Sequence, residues 1–151
     1  MTIKIQRGTI IMCDLGTKNT SIQRGMRPCV VVSNDKANFF SNVIMAVPLT
    51  TKTDKCYPTQ ILIEPSVDNN IKNKSLVLCE QIVPINKKEQ IAFVIGRVTK
   101  EEMERIDKAM MISLGLFSQD EVKVLDMNKV KTEIREELRV IREQEYIESN
   151  S

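Results

Sequence analysis

The residue best suited to chemistry in this sequence is an isolated arginine, Arg27, which stands before a proline and a β-branched run. Pro28 has no backbone N–H and disfavours helical backbone at the preceding residue, so Arg27 is expected in extended backbone at a strand entrance. The run Val30-Val31-Val32 favours a buried strand. A cation held at the start of a strand, beside a flexible loop, is placed to bind an anion.

Two polar loops with hydroxyl and cationic side chains follow different apolar runs. The first, residues 16–25, carries Lys18 and Arg24, and the second, residues 50–55, carries Lys52. A plain hairpin connection is the simple interpretation of the first loop, but it is long for that purpose, and long loops beside rigid strands often bind ligands. We expect the two loops to line one groove.

The composition narrows the possible chemistry, because the chain contains no histidine. No side chain therefore has an unperturbed pKa near neutrality. The four cysteines are single, without a C-x-x-C pair, so no tetrahedral metal site is predicted. Buried free thiols are favoured over disulfides or metal ligation. The cysteines are Cys13, Cys29, Cys56 and Cys79.

Short apolar runs separated by turn signals predict a small β-barrel or sandwich with helices, an α+β fold. A turn region is predicted at 34–42. The predicted strands cover residues 9–13, 29–32, 43–47, 59–63, 76–82 and 91–95.

The periodicity changes to helical at Thr99, which forms a capping-box signature with Glu102. Gly115 provides a stop signal. Between them, apolar residues recur at helical spacing and predict an amphipathic helix packed on the barrel: Met103, Ile106, Met110 and Leu114.

A second capping-box signature at Ser118 predicts another helix to about Tyr146, and residues 148–151 are expected to be disordered. We expect two regions, a body of residues 1–117 and a helical extension of residues 118–151. The extension carries six basic and nine acidic residues, a net charge of −3, which leaves the body at +5. A basic body suits a polyanionic partner, although ordinary scatter of surface charge explains the same balance.

The sequence has no apolar run long enough to span a membrane and no signal-peptide core at its start. We therefore expect a cytoplasmic protein without membrane association.

An ordered series of motifs between Ile5 and Phe117 resembles the MazF/PemK family of bacterial toxin endoribonucleases. The series begins with Arg7-Gly8 and Asp14-Leu15 around the first strand and continues with Gly25-Met26-Arg27-Pro28. The remaining matches are Ser33-Asn34-Asp35, 46–50, Pro58-Thr59, Leu78-Cys79-Glu80-Gln81-Ile82 and 112–116. Residues 118–151 extend beyond the usual end of the family.

The resemblance implies an SH3-like small barrel that forms a homodimer and cuts single-stranded mRNA at short sequences, with no cofactor and no metal. In the family reaction a ribose 2′-hydroxyl attacks the adjacent phosphate, leaving a 2′,3′-cyclic phosphate and a 5′-hydroxyl. Arg27 and Thr50 match the family's catalytic pair. A guanidinium suits the charge of the pentacoordinate transition state, and a threonine hydroxyl can donate to a phosphate oxygen.

The resemblance also implies partners. RNA bases are expected against the two loops and the end of the fifth strand, and a cognate antitoxin is expected to block the groove with a flexible acidic segment. The residues expected to bind RNA are Ser21, Gln23, Arg24, Thr51, Lys52, Tyr57, Gln60, Glu80 and Gln81. The tail helix is expected to enlarge the dimer or to contact the antitoxin.

Two positions depart from the family pattern. Ile22 stands where many relatives have a glutamate, and the stretch near Gln60 lacks a histidine found in others. Because a guanidinium stays protonated, Arg27 is assigned charge stabilisation, and the general base stays unassigned. Two other functions remain open: a gyrase-poison-like toxin acting by protein binding, and an RNA-binding regulator that has lost turnover.

Overall fold

The structure, a computed structural model, describes residues 4–17 and 22–151. The chain divides into two compact units, Met1–Gln119 and Asp120–Ser151. The elements of the described residues are β1 (Thr9–Asp14), β2 (Met26–Val31), α1 (Asp35–Phe40), β3 (Val43–Thr50), β4 (Gln60–Ile63), β5 (Ser75–Leu78), β6 (Val83–Asn86), β7 (Ile91–Arg97), α2 (Lys100–Ser113), α3 (Gln119–Lys123) and α4 (Met127–Ser149).

The strands form one antiparallel sheet in the order β4-β5-β3-β2-β1-β7, with β6 paired to β3. Strand β3 changes partners along its length: Val43 to Ala46 pairs with β6, Ala46 to Pro48 with β2, and Leu49 to Thr50 with β5. The expected mixed α+β class is confirmed. Among the described residues no ladder joins the end strands β4 and β7, so closure into an SH3-like barrel stays a prediction.

Apolar side chains on the two faces of the sheet form two clusters, because successive residues of a strand point to opposite faces. Val30 and Val47 belong to one cluster, which Ile106 and Ala109 of α2 join. The second cluster lies on the other face and contains Ile11, Cys13, Cys29, Val31, Ile44, Ala46 and Ile85. Both faces of the central strands are therefore fixed by packing, which holds the ends of β2 and β3 in place.

The predicted amphipathic helix is α2, and its capping box is confirmed. The Thr99 hydroxyl accepts the Glu102 N–H at 3.1 Å, and the Glu102 carboxylate accepts the Thr99 N–H at 2.8 Å. The helix ends before Gly115, which has a left-handed φ of 70°. Ile106 is fully buried, whereas Leu114 is exposed and lies outside the packed face.

Two predictions for the first unit are wrong. The expected turn region 34–42 contains helix α1, because Asn34 acts as an N-cap and its side chain accepts the Ala37 N–H at 2.9 Å. The fifth strand ends at Leu78 rather than at residue 82, because the chain turns there and the Gln81 N–H donates to the Leu78 carbonyl. Strand β6, which pairs with β3, was not predicted.

The tail also differs from its prediction of one helix followed by disorder. It contains two helices, and α4 begins where Asp126 accepts the Lys129 N–H at 3.1 Å. Helix α4 continues to Ser149, so the expected disorder of residues 148–151 is wrong for its first two positions. No helix in the described ranges has the length and apolar character needed to cross a membrane.

Candidate functional site

Arg27 lies in β2, opposite Cys13 of β1 in the antiparallel ladder. The side chain is half-buried, and its Nε donates to the carbonyl of Arg24 at 3.0 Å. This bond ties the arginine to the end of the first polar loop. None of the ion pairs within residues 4–17 and 22–151 involves Arg27. Its terminal nitrogens are thus not neutralised by a carboxylate.

Thr50 is the last residue of β3 and is only 8% exposed. Its hydroxyl oxygen accepts the backbone N–H of Lys52 at 3.2 Å, which starts the second polar loop. The hydroxyl proton remains able to donate to another acceptor. Burial and this bond hold the hydroxyl at the strand end.

The register of β2 and β3 relates these two residues. The ladder pairs Cys29 with Pro48 and Val30 with Val47. Extended by two residues, the same register sets Arg27 opposite Thr50. Opposite residues of an antiparallel pair lie on one face with Cα atoms about 4.5–5.5 Å apart. The extension runs two residues beyond the last paired residues, Cys29 and Pro48, and Thr50 itself pairs with Leu76 of β5.

The turn after β5 contacts the first polar loop and the start of β4, and both hold residues that were predicted to bind RNA. The Gln60 side chain donates to the Glu80 carboxylate at 2.7 Å and accepts the Tyr57 N–H at 3.2 Å. The neighbouring Gln81 side chain accepts the Gln23 N–H at 3.0 Å. Glu80 and Gln81 therefore join the start of β4 to the first loop.

These bonds form a continuous chain of contacts that ends at the arginine. It runs from Tyr57 through Gln60 to the 80–81 turn, on to Gln23 and Arg24, and from the Arg24 carbonyl to Arg27. Thr51 and Lys52 lie exposed directly after Thr50. Ser21 and Lys18 lie outside the described residues. The structure thus links six of the predicted RNA-binding positions to one another, and Arg24 is the one that contacts Arg27 in the described residues.

A cleft of about 420 Å³ lies against β2 and the end of β3, and one part of its lining was not predicted from the sequence. Pro28 of β2, Leu49 of β3 and Thr51, which follows β3, line the cleft, and residues 70–73 line it from the connector between β4 and β5. The connector holds Asn70 in left-handed backbone with φ of 54°, and its side chain donates to the Ile95 carbonyl. A run of asparagines and lysines was the available signal: Asn69, Asn70, Lys72, Asn73 and Lys74.

The cysteines near Arg27 support the strands rather than the chemistry. Cys13 and Cys29 are fully buried free thiols, and the Cys29 thiol contacts the Arg27 carbonyl at 3.6 Å. The neighbouring Cys13 thiol and burial raise the pKa of Cys29 far above its usual value. Burial likewise raises the pKa of Cys79 to about 12. The predicted free thiols are confirmed, and Cys56 is exposed rather than buried.

Known proteins resemble this chain over most of the first unit. Residues 6–114 match the family described as the PemK-like, MazF-like toxin of type II toxin-antitoxin system. The fold is similar to that of an endoribonuclease from a mycobacterial species, at 28% identity over 75% of this chain and 93% of that chain, with a TM-score of 0.60.

Two further solved structures are also similar to this chain. A mycobacterial endoribonuclease in complex with its cognate antitoxin shares 28% identity over 76% of this chain and 96% of that chain, with a TM-score of 0.59. MazF from Deinococcus radiodurans shares 16% identity over 76% of this chain and 99% of that chain, with a TM-score of 0.63, which supports the fold alone. Residues 115–151 lie beyond the family match.

Proposed function

The chain belongs to the PemK-like, MazF-like toxins of type II toxin-antitoxin systems, and on that premise we propose that it is an endoribonuclease. It cuts single-stranded RNA at a short recognition sequence without a metal ion. The observation that carries the proposal is the chain of contacts that leads from the 80–81 turn through Gln23 and Arg24 to Arg27. The register of β2 and β3, extended by two residues, sets Thr50 opposite Arg27 and supports the same site. Similarity to two mycobacterial endoribonucleases supports it.

In the proposed reaction the 2′-hydroxyl attacks the adjacent phosphorus and gives up its proton. The P–O5′ bond breaks, the leaving 5′-oxygen takes up a proton, and a 2′,3′-cyclic phosphate remains. Negative charge on the non-bridging oxygens increases in the transition state, so fixed donors aimed there lower the barrier. The Arg27 guanidinium supplies charge and paired donors, and the Thr50 hydroxyl supplies one more. Neither role requires a metal ion.

We assign base recognition to the side chains along the two loops and the 80–81 turn. The Gln60–Glu80 bond leaves the second carboxylate oxygen of Glu80 able to accept from a base edge. Tyr57 is 56% exposed and offers a ring on which an unstacked base can stack. Lys52 and Arg24 are exposed cations that suit the RNA backbone. Ser21, Gln23, Thr51 and Gln81 complete the proposed set.

The body is proposed to be an SH3-like barrel that forms a homodimer and acts on mRNA in the cytoplasm. A cognate antitoxin with an acidic, flexible segment is the proposed inhibitor. The net charge of +5 on the first 117 residues supports it, as does the solved complex of a mycobacterial relative with its antitoxin.

The test is incubation of the purified protein with long single-stranded RNAs in excess EDTA, with mapping of both ends of every fragment. We expect discrete cuts that carry cyclic phosphates and 5′-hydroxyls and that Arg27→Ala abolishes. Arg105→Ala is a matched control. Arg105, on helix α2, also donates one hydrogen bond of 3.0 Å to a backbone carbonyl, that of Leu62. Its cleavage should stay unchanged.

Other outcomes identify the alternatives. RNA binding without cleavage would indicate a regulator, and it would weaken steeply with salt. Neither binding nor cleavage, together with toxicity that survives Arg27→Ala, would indicate a toxin that acts on a protein target. Either result would overturn the proposed activity.

A further inference from the structure

Helix α4 is an amphipathic helix with none of its residues fully buried. At about 100° per residue, five apolar side chains fall within about 40° of one line along the helix. Three of them are 43–51% exposed. The stripe consists of Met127, Val130, Ile134, Leu138 and Ile141.

The spacing of this stripe favours packing along a second helix. Its steps of three, four, four and three residues give an eleven-residue repeat, from Met127 to Leu138 and from Val130 to Ile141. Such a repeat has about 3.67 residues per turn, close to that of an undistorted helix. Two such helices can keep their stripes in contact while remaining almost straight.

The charges beside the stripe are segregated by sign. Between Met127 and Gln144, every residue on one edge, at about 60° to 100° from the centre of the stripe, is basic. The opposite edge, at the same angles, is acidic or neutral. The basic edge holds Lys131, Arg135 and Arg142, and the other edge holds Glu133, Glu137 and Gln144.

Charged residues on the side of the helix opposite the stripe form ion pairs with one another. Those at the two edges of the stripe form none with the described residues. Arg139, on the back, pairs with Glu136 and Glu143 within the helix. Arg142 and Glu137 make no ion pair among the residues that the structure describes. The edge charges are thus available to a partner at the stripe.

The separation of basic and acidic residues onto opposite edges favours a second copy of the same helix as the partner, and it favours a parallel orientation. When two copies of this helix pack stripe to stripe in parallel about a two-fold axis, the basic edge of each meets the acidic edge of the other along both sides. An antiparallel pair places basic against basic and acidic against acidic, which is destabilising. Glu137 of one copy and Arg142 of the other stand five residues apart, the spacing of interhelical ion pairs in parallel coiled coils.

We propose that α4 is a self-association surface, which forms a parallel two-stranded coil with α4 of a second copy of this chain. The apolar stripe is about 21 Å long at 1.5 Å per residue, so its contact area is below that of a standard interface. The coil therefore adds to the contact between the bodies of the proposed homodimer. It does not depend on RNA cleavage.

Cysteine cross-linking tests the contact and its direction on the full chain, in a Cys56→Ser background that removes the exposed native thiol. In a parallel coil each stripe position meets itself, so Ile134→Cys and Ile141→Cys should each form a covalent dimer under mild oxidation. Val140→Cys is the control, because Val140 is 49% exposed, as Ile141 is 50%, but points away from the stripe. It should cross-link at least tenfold more slowly.

The proposal is overturned if neither stripe variant cross-links, if Val140→Cys reacts equally fast, or if only a mixture of the two stripe variants gives a dimer. The last result would mean an antiparallel pair.

Charge variants provide a second test that leaves the stripe intact. Arg142→Glu and Glu137→Arg should each speed the exchange of labelled subunits by severalfold, and the double variant should restore the slow rate. In an antiparallel pair, Arg142→Glu would relieve contacts between like charges and slow the exchange of subunits. Slower exchange for this variant would therefore overturn the parallel arrangement. If the exchange rate is unchanged in both single variants, α4 does not pack on α4 of a second copy, and the proposal is overturned.

Discussion

Replacing Gly96 by alanine should destabilise the first unit strongly, because backbone occupies the place of the new Cβ. An ideal Cβ at Gly96 would lie 2.5 Å from the Asn69 carbonyl oxygen and 2.7 Å from that of Asp68. Side-chain Cβ atoms essentially never approach heavy atoms within 3.0 Å. Since Arg97, the next residue, donates its N–H to the Asp68 carbonyl at 2.9 Å, the two segments cannot separate without losing that bond.

The bonds of the Asn69 side chain resist movement of this segment. Asn69 is fully buried, donates to the Glu64 carbonyl at 2.7 Å, and accepts the N–H groups of Ser66 and Ile71 at 2.9 and 3.1 Å. Overpacking costs about 1–3 kcal/mol, and each lost hydrogen bond about 1 kcal/mol more. We therefore expect Gly96→Ala to lower the free energy of unfolding by about 3–4 kcal/mol.

Urea unfolding of the full chain, followed by circular dichroism, measures this change. With a denaturant slope of about 1.5–2 kcal/mol per molar, the midpoint of the first unit should fall by about 2 M. Gly115→Ala is the matched control, because its Cβ meets nothing within 4 Å and only the left-handed backbone, φ 70°, opposes it. That substitution should lower the free energy of unfolding by about 1–2 kcal/mol. Equal midpoints for the two variants would mean that the Asp68–Asn69 backbone does not resist the new methyl group.

Three further predictions concern single side chains. Thr50→Val should lower the RNA cleavage rate about 10²–10³-fold while Thr50→Ser keeps most of it; a valine variant within threefold of wild type would remove Thr50 from the reaction. The Arg7 N–H, 2.7 Å from the Asp35 carboxylate, holds the pKa of Asp35 below its usual value. The stability that this carboxylate adds over Asp35→Asn should therefore be present at pH 6 and be lost as the pH falls below about 4; a gap that persists in acid would contradict this assignment. In native protein at neutral pH a thiol reagent should label the exposed Cys56 alone, and not Cys79, whose pKa burial raises to about 12; labelling of more than one thiol before unfolding would contradict the burial.

The strands and α2 were predictable because their signals are local. Val30, Val31 and Val47 lie in buried β-branched runs, and the capping box of Thr99 and Glu102 marks the helix start within four residues. Helix α1 was missed since Asn34 and Asp35 favour turns and helix N-termini equally. Strand β6 contains Pro84, which suggests an irregular segment, yet it pairs opposite Met45 in the sheet.

The candidate site was predictable in its residues but not in its connections. Arg27 and Thr50 were identified by resemblance, and their relation depends on a strand register that no local pattern encodes. The bonds from Glu80 to Gln60 and from Gln81 to Gln23 join residues 20 and 58 positions apart. Such contacts follow from how the sheet bends, which depends on packing along the whole chain.

The most direct test of the proposed reaction is cleavage of an RNA that carries one 2′-deoxy residue at a mapped cutting site. We expect cleavage there to fall by more than about a thousandfold while the affinity for the RNA changes little, because the nucleophile is absent and the base contacts remain. The other sites in the same RNA should be cut at their usual rates. Continued cleavage at the deoxy residue would mean that water attacks the phosphate, and the assignment of 2′-hydroxyl attack to the Arg27–Thr50 site would be wrong.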